Sequence, residues 1–463
     1  MGSIAAAHTS WRADSVLFWS LLLTVAAMPL PSGSAPLWAN SLAAILVGLS
    51  LFGHSLCLIF AGWRLAIPLS RLRIPVVLAA IAVAWIFAQL MPIGGSSLAH
   101  PIWVLTGDVL KDPLSGRISV DPYATATAVM RLFMYFGIFF LALQLCRNSD
   151  RAFQALNAIV VIGVIYAIYG VVLYALKSEA LFWISRSAGR DDLSRAFINR
   201  HAFGDFVGLG LLAAVALLAK HVHRPAVSSG SRKAMVTNIL RIAKAKAWTP
   251  LAIVILTIAC ALTSSTGGMV PIVLAVVAFL LCLMTASRLN GAGRRVMVGL
   301  LVTETIFIIL LSGQAMHWRI STATGSNDVP AEIHELVRQG ITDSPLLGHG
   351  YGAFESAFQS YADTTLNGHA ANAHGDFLQL AFELGIPAAI FLVLAIAAVA
   401  LRCLWGVYSR RRDIAYPALA TAAAVLVGAH ALTDSGLQVP ATAALFAFIL
   451  GLGYSQCWKT QNS

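Results

Sequence analysis

The stretch "NAHGDFLQLAFELGIPAA", residues 372–389, sets a His, an Asp, a Gln and a Glu just before a long apolar segment. On a helix, Asp376, Gln379 and Glu383 stand at positions i, i+3 and i+7 and share one face. His374 stands just ahead of that helix, and Pro387 can open the span that follows. The pattern predicts a helix in the membrane interface with its polar face toward a cavity. An ordinary amphipathic lead-in to the span, with His374 in solvent, fits the same pattern.

The composition around this stretch is that of a membrane protein. Of 463 residues, 58% are hydrophobic and 11% are charged, whereas soluble proteins carry about 25% charged residues. We therefore expect an all-α, polytopic membrane protein in the lipid bilayer. The net charge of +11 is explained by Lys and Arg in cytoplasmic loops, so no nucleic-acid partner is expected.

Twelve apolar segments are candidate transmembrane helices, although a few are short for the roughly 20 residues that a span needs. They are residues 15–31, 38–62, 75–92, 124–146, 153–175, 198–219, 249–265, 267–286, 296–314, 388–404, 416–433 and 438–456. The six cysteines lie within these segments or at their predicted inner ends, and no CxxC occurs. The sequence therefore predicts neither a disulfide framework nor a zinc site.

Basic residues occupy every second loop, together with the N-terminal end. This alternation predicts that both termini are cytoplasmic and that the loops at 93–123, 176–197 and 315–387 face outward. The chain then divides into spans one to nine (1–314), a large periplasmic loop with an interfacial helix (315–387), and spans ten to twelve (388–463). No internal repeat of fixed period is found.

The large outer loop holds two local patterns. "AEIHELVRQG", residues 331–340, predicts a helix with Ile333, Leu336 and Val337 on one face and Gly340 as its end. "ITDSPLLGHGYGAF", residues 341–354, is rich in Gly and predicts a compact turn. It follows no strand, so it does not indicate a dinucleotide site.

Several ionisable residues share the predicted outer side with His374 and Glu383. They are Arg131, Arg200, Arg319, Arg338, His430 and Asp434. Cations and histidines beside an outer leaflet suggest a phosphate-bearing lipid substrate, because Arg binds diphosphate bidentately. Each residue also has a structural alternative: capping a helix end for Arg338, contact with headgroups for Arg200 and Arg319, snorkelling for Arg131, and a hydrogen-bonded pair for His430 with Asp434.

No motif indicates a metal or a cofactor. No outer loop holds a DxD or HExxH motif, and the chain has no Walker A motif. We expect no metal site and no cofactor.

The motifs resemble the O-antigen ligase/O-antigen polymerase family of bacterial membrane glycosyltransferases, most closely over 330–455. "DSPLLGHGYGAF" (343–354) followed by "AHGDFLQLAFELGIP" (373–387) looks like the family signature, with His374, Glu383 and Gly385 at its positions. "FINRHAF" (197–203) is similar to its Asn-Arg segment, and "HALTDSGLQVPATAALF" (430–446) to its closing spans. Two positions depart: Thr266 in "SSTGG" stands where an Arg is frequent, and Gly375 where Asn is usual.

The resemblance implies a metal-independent transferase at the periplasmic face of the bacterial inner membrane. Its donor would be an undecaprenyl-diphosphate-linked saccharide, and an acceptor sugar hydroxyl would attack the anomeric carbon. A His suits a base near neutral pH, and Arg side chains stabilise a leaving diphosphate. We assign His374 as the base, Arg200 and Arg338 as the diphosphate clamp, and Glu383 and Asp434 as orienting groups. Glu383 is also a candidate base, His430 is a further substrate-binding candidate, and Arg131 or Arg319 would replace the cation missing at Thr266.

Three functions remain open at this point. A polymerase joins repeat units on lipid carriers in O-antigen or exopolysaccharide synthesis, and a ligase moves the finished glycan to lipid A-core. We favour the polymerase, because nothing in the sequence marks a lipid A-core site. A transporter of lipid-linked sugars ranks third, because it would need charges along a path through the membrane.

Overall fold

The computed structural model describes residues 2–94, 98–112, 114–175, 180–181, 184–185, 200–223, 248–262, 266–286, 299, 302, 329–362, 372–410 and 412–458. Its helices are α1 Gly2–Ala27, α2 Leu37–Phe60, α3 Arg73–Leu90, α4 Ile102–Leu110, α5 Pro122–Leu145, α6 Ser149–Ala175, α7 Arg200–His223, α8 Trp248–Leu262, α9 Thr266–Thr285, α10 Val329–Asp343, α11 Phe354–Phe358, α12 Asp376–Leu384, α13 Ile386–Ser409, α14 Ala415–His430 and α15 Pro440–Ser455. Two strands of two residues, Ala180–Leu181 and Ile184–Ser185, pair antiparallel.

The helices confirm the polytopic, all-helical class. Within the described residues, six helical stretches are long and apolar enough to cross a membrane: α2, Leu69–Leu90, α5, Ser149–Leu173, Ala202–His221 and α13. Five shorter apolar helices accompany them: Ala13–Ala27, α8, Met269–Thr285, α14 and α15. These eleven correspond to eleven of the twelve predicted segments. The remaining segment, 296–314, lies outside the described residues apart from positions 299 and 302.

α7 packs against α6, α9, α14 and α15, and its apolar stretch is buried throughout. α15 packs against α5 and α14, α14 packs against α9, and α6 packs against α7. α13 packs on α3, and a second apolar cluster joins these two helices to α5 through Ile86, Leu132 and Leu392. Together with α15, these three helices form the walls of the cavity described below.

A cap of α10, α11 and α12 has an apolar core of its own, which includes Ile333, Val337, Phe354 and Phe382. The predicted helix over 331–340 is therefore present, but the prediction that Gly340 ends it is wrong, because α10 continues to Asp343. A Cβ at Gly340 would overlap the Phe382 ring. Close packing of α10 on α12 explains this glycine better than chain termination.

Four arginines converge on residues 455–458 at the opposite end of the helices, and we call them the arginine collar: Arg71, Arg147, Arg402 and Arg410. Arg147 donates to the Ser455 carbonyl at 3.2 Å, Arg402 to that of Cys457 at 3.4 Å, and Arg410 to that of Gln456 at 2.6 Å. The guanidinium groups of Arg71 and Arg402 lie 4.1 and 3.8 Å from the centre of the Trp458 ring. The collar thus satisfies carbonyls that the last turn of α15 leaves without intrahelical partners.

Candidate active site

An apolar cavity of about 520 Å³ lies between α3, α5, α13 and α15. Most of its lining side chains are Leu, Val, Ala and Phe. It follows α5 from Ala128 to Phe140, 13 residues, which span roughly 18 Å at the helical rise of 1.5 Å per residue. The charged and amide-bearing lining residues gather at the end beneath the cap; they are Arg131, Asp376, Glu383 and Gln438.

Glu383 is buried on α12 with both carboxylate oxygens hydrogen-bonded. Oε1 accepts from Gln379 Nε2 at 2.9 Å, and Oε2 accepts from the Gly352 backbone N–H at 2.8 Å. Burial raises the pKa of Glu383 to about 7, although these hydrogen bonds and the nearby Arg131 lower it in part. The carboxyl group therefore exchanges a proton near neutral pH, as a general base or acid must.

The Gly-rich turn explains how a backbone N–H reaches this buried carboxylate. Gly352 has φ +76° and a Cβ there would overlap that of Ala128 on α5, so the turn fits between α5 and α12 without a side chain. At Gly348, with φ +68°, a Cβ would overlap the Glu383 carbonyl. The predicted compact turn is present, and its glycines bring the backbone against both helices.

Asp376, at the start of α12, is the second carboxylate on the cavity wall. Its Oδ2 accepts from the Leu437 N–H at 3.1 Å and its Oδ1 from Gln438 Nε2 at 3.3 Å. Burial raises the pKa of Asp376 to about 7, and the nearby Asp205 adds to the rise. The predicted stripe of Asp376, Gln379 and Glu383 is therefore buried, and its two carboxylates face the cavity.

The sequence suggested a hydrogen-bonded pair of His430 with Asp434. In the structure, the side-chain partner of His430 is Asp205 instead. His430 Nδ1 forms a short hydrogen bond with Asp205 Oδ1 of α7, and both side chains are buried. Asp434 Oδ1 accepts from the Ser435 N–H at 2.7 Å, and the Asp434 N–H donates to the His430 carbonyl at 2.9 Å. Sequence reasoning missed Asp205. An acidic residue within an apolar span was the signal that could have found it.

His374 lies beside this network rather than in the cavity lining. Its side chain is half-buried, and its carbonyl is 3.0 Å from Nε2 of His334 on α10. Its backbone is left-handed, with φ +50°, which is uncommon for a residue other than glycine. Strained backbone of this kind clusters at functional sites, which is in keeping with the role predicted for His374.

The predicted arginines fall in different environments. Arg131 is half-buried and lines the cavity about two and a half turns into α5. Arg338 is 66% exposed on α10, where it pairs with Glu335 at 3.1 Å, and it is not among the residues that line the cavity. Arg200 begins α7 and is described by its backbone alone, as is Thr266 at the start of α9; Arg319 lies outside the described residues.

Among the residues that the structure describes, the site has one cation, Arg131, and two carboxyl groups with pKa values raised to about 7, set at the end of an apolar cavity. Such a cavity can hold an apolar chain, and Arg131 can bind an anionic group at its end. Among the residues that the structure describes, no group of three or more His, Cys, Asp or Glu side chains is placed to hold a metal ion.

Comparison with known families agrees with the motifs. Residues 251–393 match the family described as O-antigen ligase, and no curated protein matches the chain. The matched segment contains the whole cap, with Arg338, His374 and Glu383, whereas Arg131 and Asp205 lie outside it. The apolar helices make the chain a multi-pass membrane protein, and its segment 251–393 is similar to the O-antigen ligase family.

Proposed function

We propose that this protein is a membrane glycosyltransferase that moves a saccharide from an undecaprenyl-diphosphate carrier to an acceptor sugar hydroxyl at the periplasmic face of the bacterial inner membrane. The observation that carries the proposal is the cavity: a long apolar space with a single charged end. A polyprenyl diphosphate has the same two-part chemistry, since an apolar chain ends in a charged group. The chain would lie between α3, α5, α13 and α15, with its diphosphate beside Arg131.

In the reaction, the acceptor oxygen bonds to the anomeric carbon, whose bond to the diphosphate oxygen breaks. The hydroxyl proton passes to a base, and the bonding electron pair leaves with the diphosphate. Arg131 would stabilise the charge that develops there, with Arg200 and Arg338 as further proposed clamps. His374 is the proposed base for an acceptor that arrives from the aqueous side. Asp376 and Glu383 would orient the donor sugar, and Glu383 is the alternative base.

The chemistry is proposed to need no metal ion, because Arg side chains supply positive charge at the leaving group. We expect the purified protein to keep its transfer rate in EDTA and to gain nothing from added Mg²⁺. A rate that falls in EDTA and returns with Mg²⁺ would contradict this part of the proposal.

Two neighbouring valines on α3 test whether the cavity binds the carrier. Val76 lines the cavity and Val77 does not, although they are similarly exposed, at 52% and 57%. We expect Val76→Trp to raise the KM for a polyprenyl-diphosphate-linked saccharide severalfold, because the indole ring would fill space that the polyprenyl chain needs. Val77→Trp should leave the KM unchanged. Equal behaviour of the two variants would remove the cavity from the donor site.

Polymerisation is the favoured reaction, in O-antigen or exopolysaccharide synthesis, and ligation to lipid A-core is the alternative. The glycan profile of a deletion strain separates them. Lipid A-core that carries a single repeat identifies a lost polymerase, whereas unmodified core with polymer accumulated on the carrier identifies a lost ligase. A transporter of lipid-linked sugars is less well supported, because the charged residues that line the cavity gather at one end of it.

A further inference from the structure

Asp205 and His430 form a buried hydrogen-bonded pair behind the cavity wall. Asp205 belongs to α7 and His430 ends α14, and neither is among the residues that line the cavity. Ionisable groups buried among membrane-spanning helices are costly and are retained where they serve a purpose. The contacts of the pair indicate what that purpose is.

The pair lies directly against the short helical turn Gly436–Gln438. A methyl group at Gly436 would overlap Asp205 Oδ2 and would lie 3.7 Å from His430 Nδ1. The turn can therefore occupy this position only with glycine against the pair. The next two residues, Leu437 and Gln438, are those that donate hydrogen bonds to the Asp376 carboxylate.

The backbone around His430 and Asp376 is connected by a second route. The Asp434 N–H donates to the His430 carbonyl at 2.9 Å, and the Asp376 N–H donates to the Asp434 carbonyl at 3.2 Å. The Gly375 N–H donates to Ser435 Oγ at 3.2 Å. Both the backbone and the carboxylate of Asp376 are thus hydrogen-bonded to the segment 430–438. That segment begins at His430 and contacts Asp205 at Gly436.

We propose that Asp205 and His430 are a positioning pair, which fixes the turn Gly436–Gln438 and thereby the orientation of the Asp376 carboxylate on the cavity wall. The inference rests on the proposed function, since it assumes that Asp376 contacts the donor sugar. A merely structural pair would stabilise the junction of α7 and α14 without acting through Asp376. The two roles differ in how their losses combine.

A double-mutant cycle on turnover separates these roles. Asp205→Asn should lower kcat by roughly ten- to a hundredfold, the range expected when a charge-assisted hydrogen bond is lost, and Asp376→Asn should do likewise. The variant with both changes should be no slower than Asp376→Asn alone, because the pair then has no carboxylate to position. Thr442→Val is the matched control. Its buried hydroxyl donates to the Ala202 carbonyl and joins α15 to α7, so its small effect should multiply with that of Asp376→Asn.

Gly436→Ala provides a second test that keeps both charges of the pair, should Asp205→Asn fail to fold. It displaces the turn from Asp205, and its loss should likewise vanish in the Asp376→Asn background. Losses that multiply in both cycles, or full turnover in folded Asp205→Asn protein, would overturn the positioning role while leaving the proposed function in place. Full turnover in both Asp376→Asn and Glu383→Gln would instead overturn the site itself, and the positioning role with it.

Discussion

Relative to the wild-type protein, the Glu383→Gln variant should gain stability as the pH rises through neutrality. Burial raises the pKa of Glu383 from its ordinary value of 4.5 to about 7. A carboxyl group with a raised pKa favours the folded state below pH 4.5, and that contribution is lost as the pH rises through 7. Gln does not titrate, so the variant escapes the loss.

The size of the effect follows from the two pKa values. Between pH 5 and pH 8 the folded wild-type protein should lose about 2.5 kcal/mol relative to Glu383→Gln, at 1.36 kcal/mol for each pKa unit. A chain of 463 residues has an unfolding entropy of about 1 kcal/mol/K, so the difference in Tm should change by about 2–3 °C. Any constant cost of the altered contact with Gln379 cancels in this comparison.

The assay uses cysteines of the chain itself. All six are free and five are buried, so a thiol-reactive dye reports unfolding in detergent at each pH. Glu335→Gln is the control, because it removes a carboxylate that is 75% exposed on the surface of α10 rather than buried. A Tm difference between the wild-type protein and Glu383→Gln that stays constant from pH 5 to pH 8 would refute the raised pKa.

Three further predictions concern catalysis and orientation. His374→Ala should lower kcat by about a hundredfold or more with donor binding nearly unchanged. The wild-type rate should rise with pH through about 6.5. A larger loss of kcat in Glu383→Gln, with His374→Ala still active, would assign the base to Glu383. Arg131→Ala should raise the donor KM more than Arg338→Ala does, because Arg131 lines the cavity while Arg338 pairs with Glu335 at the surface. The reverse order of the two KM values would indicate that the diphosphate binds at the cap. Gln339→Cys in a Cys-free protein should react with an impermeant maleimide in intact cells, and reaction only after permeabilisation would place α10 in the cytoplasm.

The sequence predicted what depends on local pattern. Apolar runs predicted the spans, and the spacing of Asp376, Gln379 and Glu383 predicted a shared polar face, because both features follow from helical geometry. The start of the next span at Pro387 was predicted in the same way, and α13 begins one residue earlier, at Ile386.

What the sequence did not predict depends on packing between distant segments. The partner of His430 is Asp205, 225 residues earlier in the chain. Gly340 looked like a helix end because its closeness to Phe382 is a tertiary contact. The surface position of Arg338 and the cavity position of Arg131 likewise follow from how α10 and α5 pack, which no local pattern encodes.

The arginine collar bears on how the protein is made. Residues 456–458 follow every described helix in the chain, so they leave the ribosome after Arg71, Arg147, Arg402 and Arg410. Until they arrive, four like charges lack the carbonyls and the indole ring that gather them. The end of α15 and the residues after it would then join segments that are inserted early in synthesis, at Arg71 and Arg147, to segments inserted late, at Arg402 and Arg410. A chain truncated before Gln456 would keep every described helix but lose the carbonyls of residues 456–457 and the indole ring that Arg71, Arg402 and Arg410 contact.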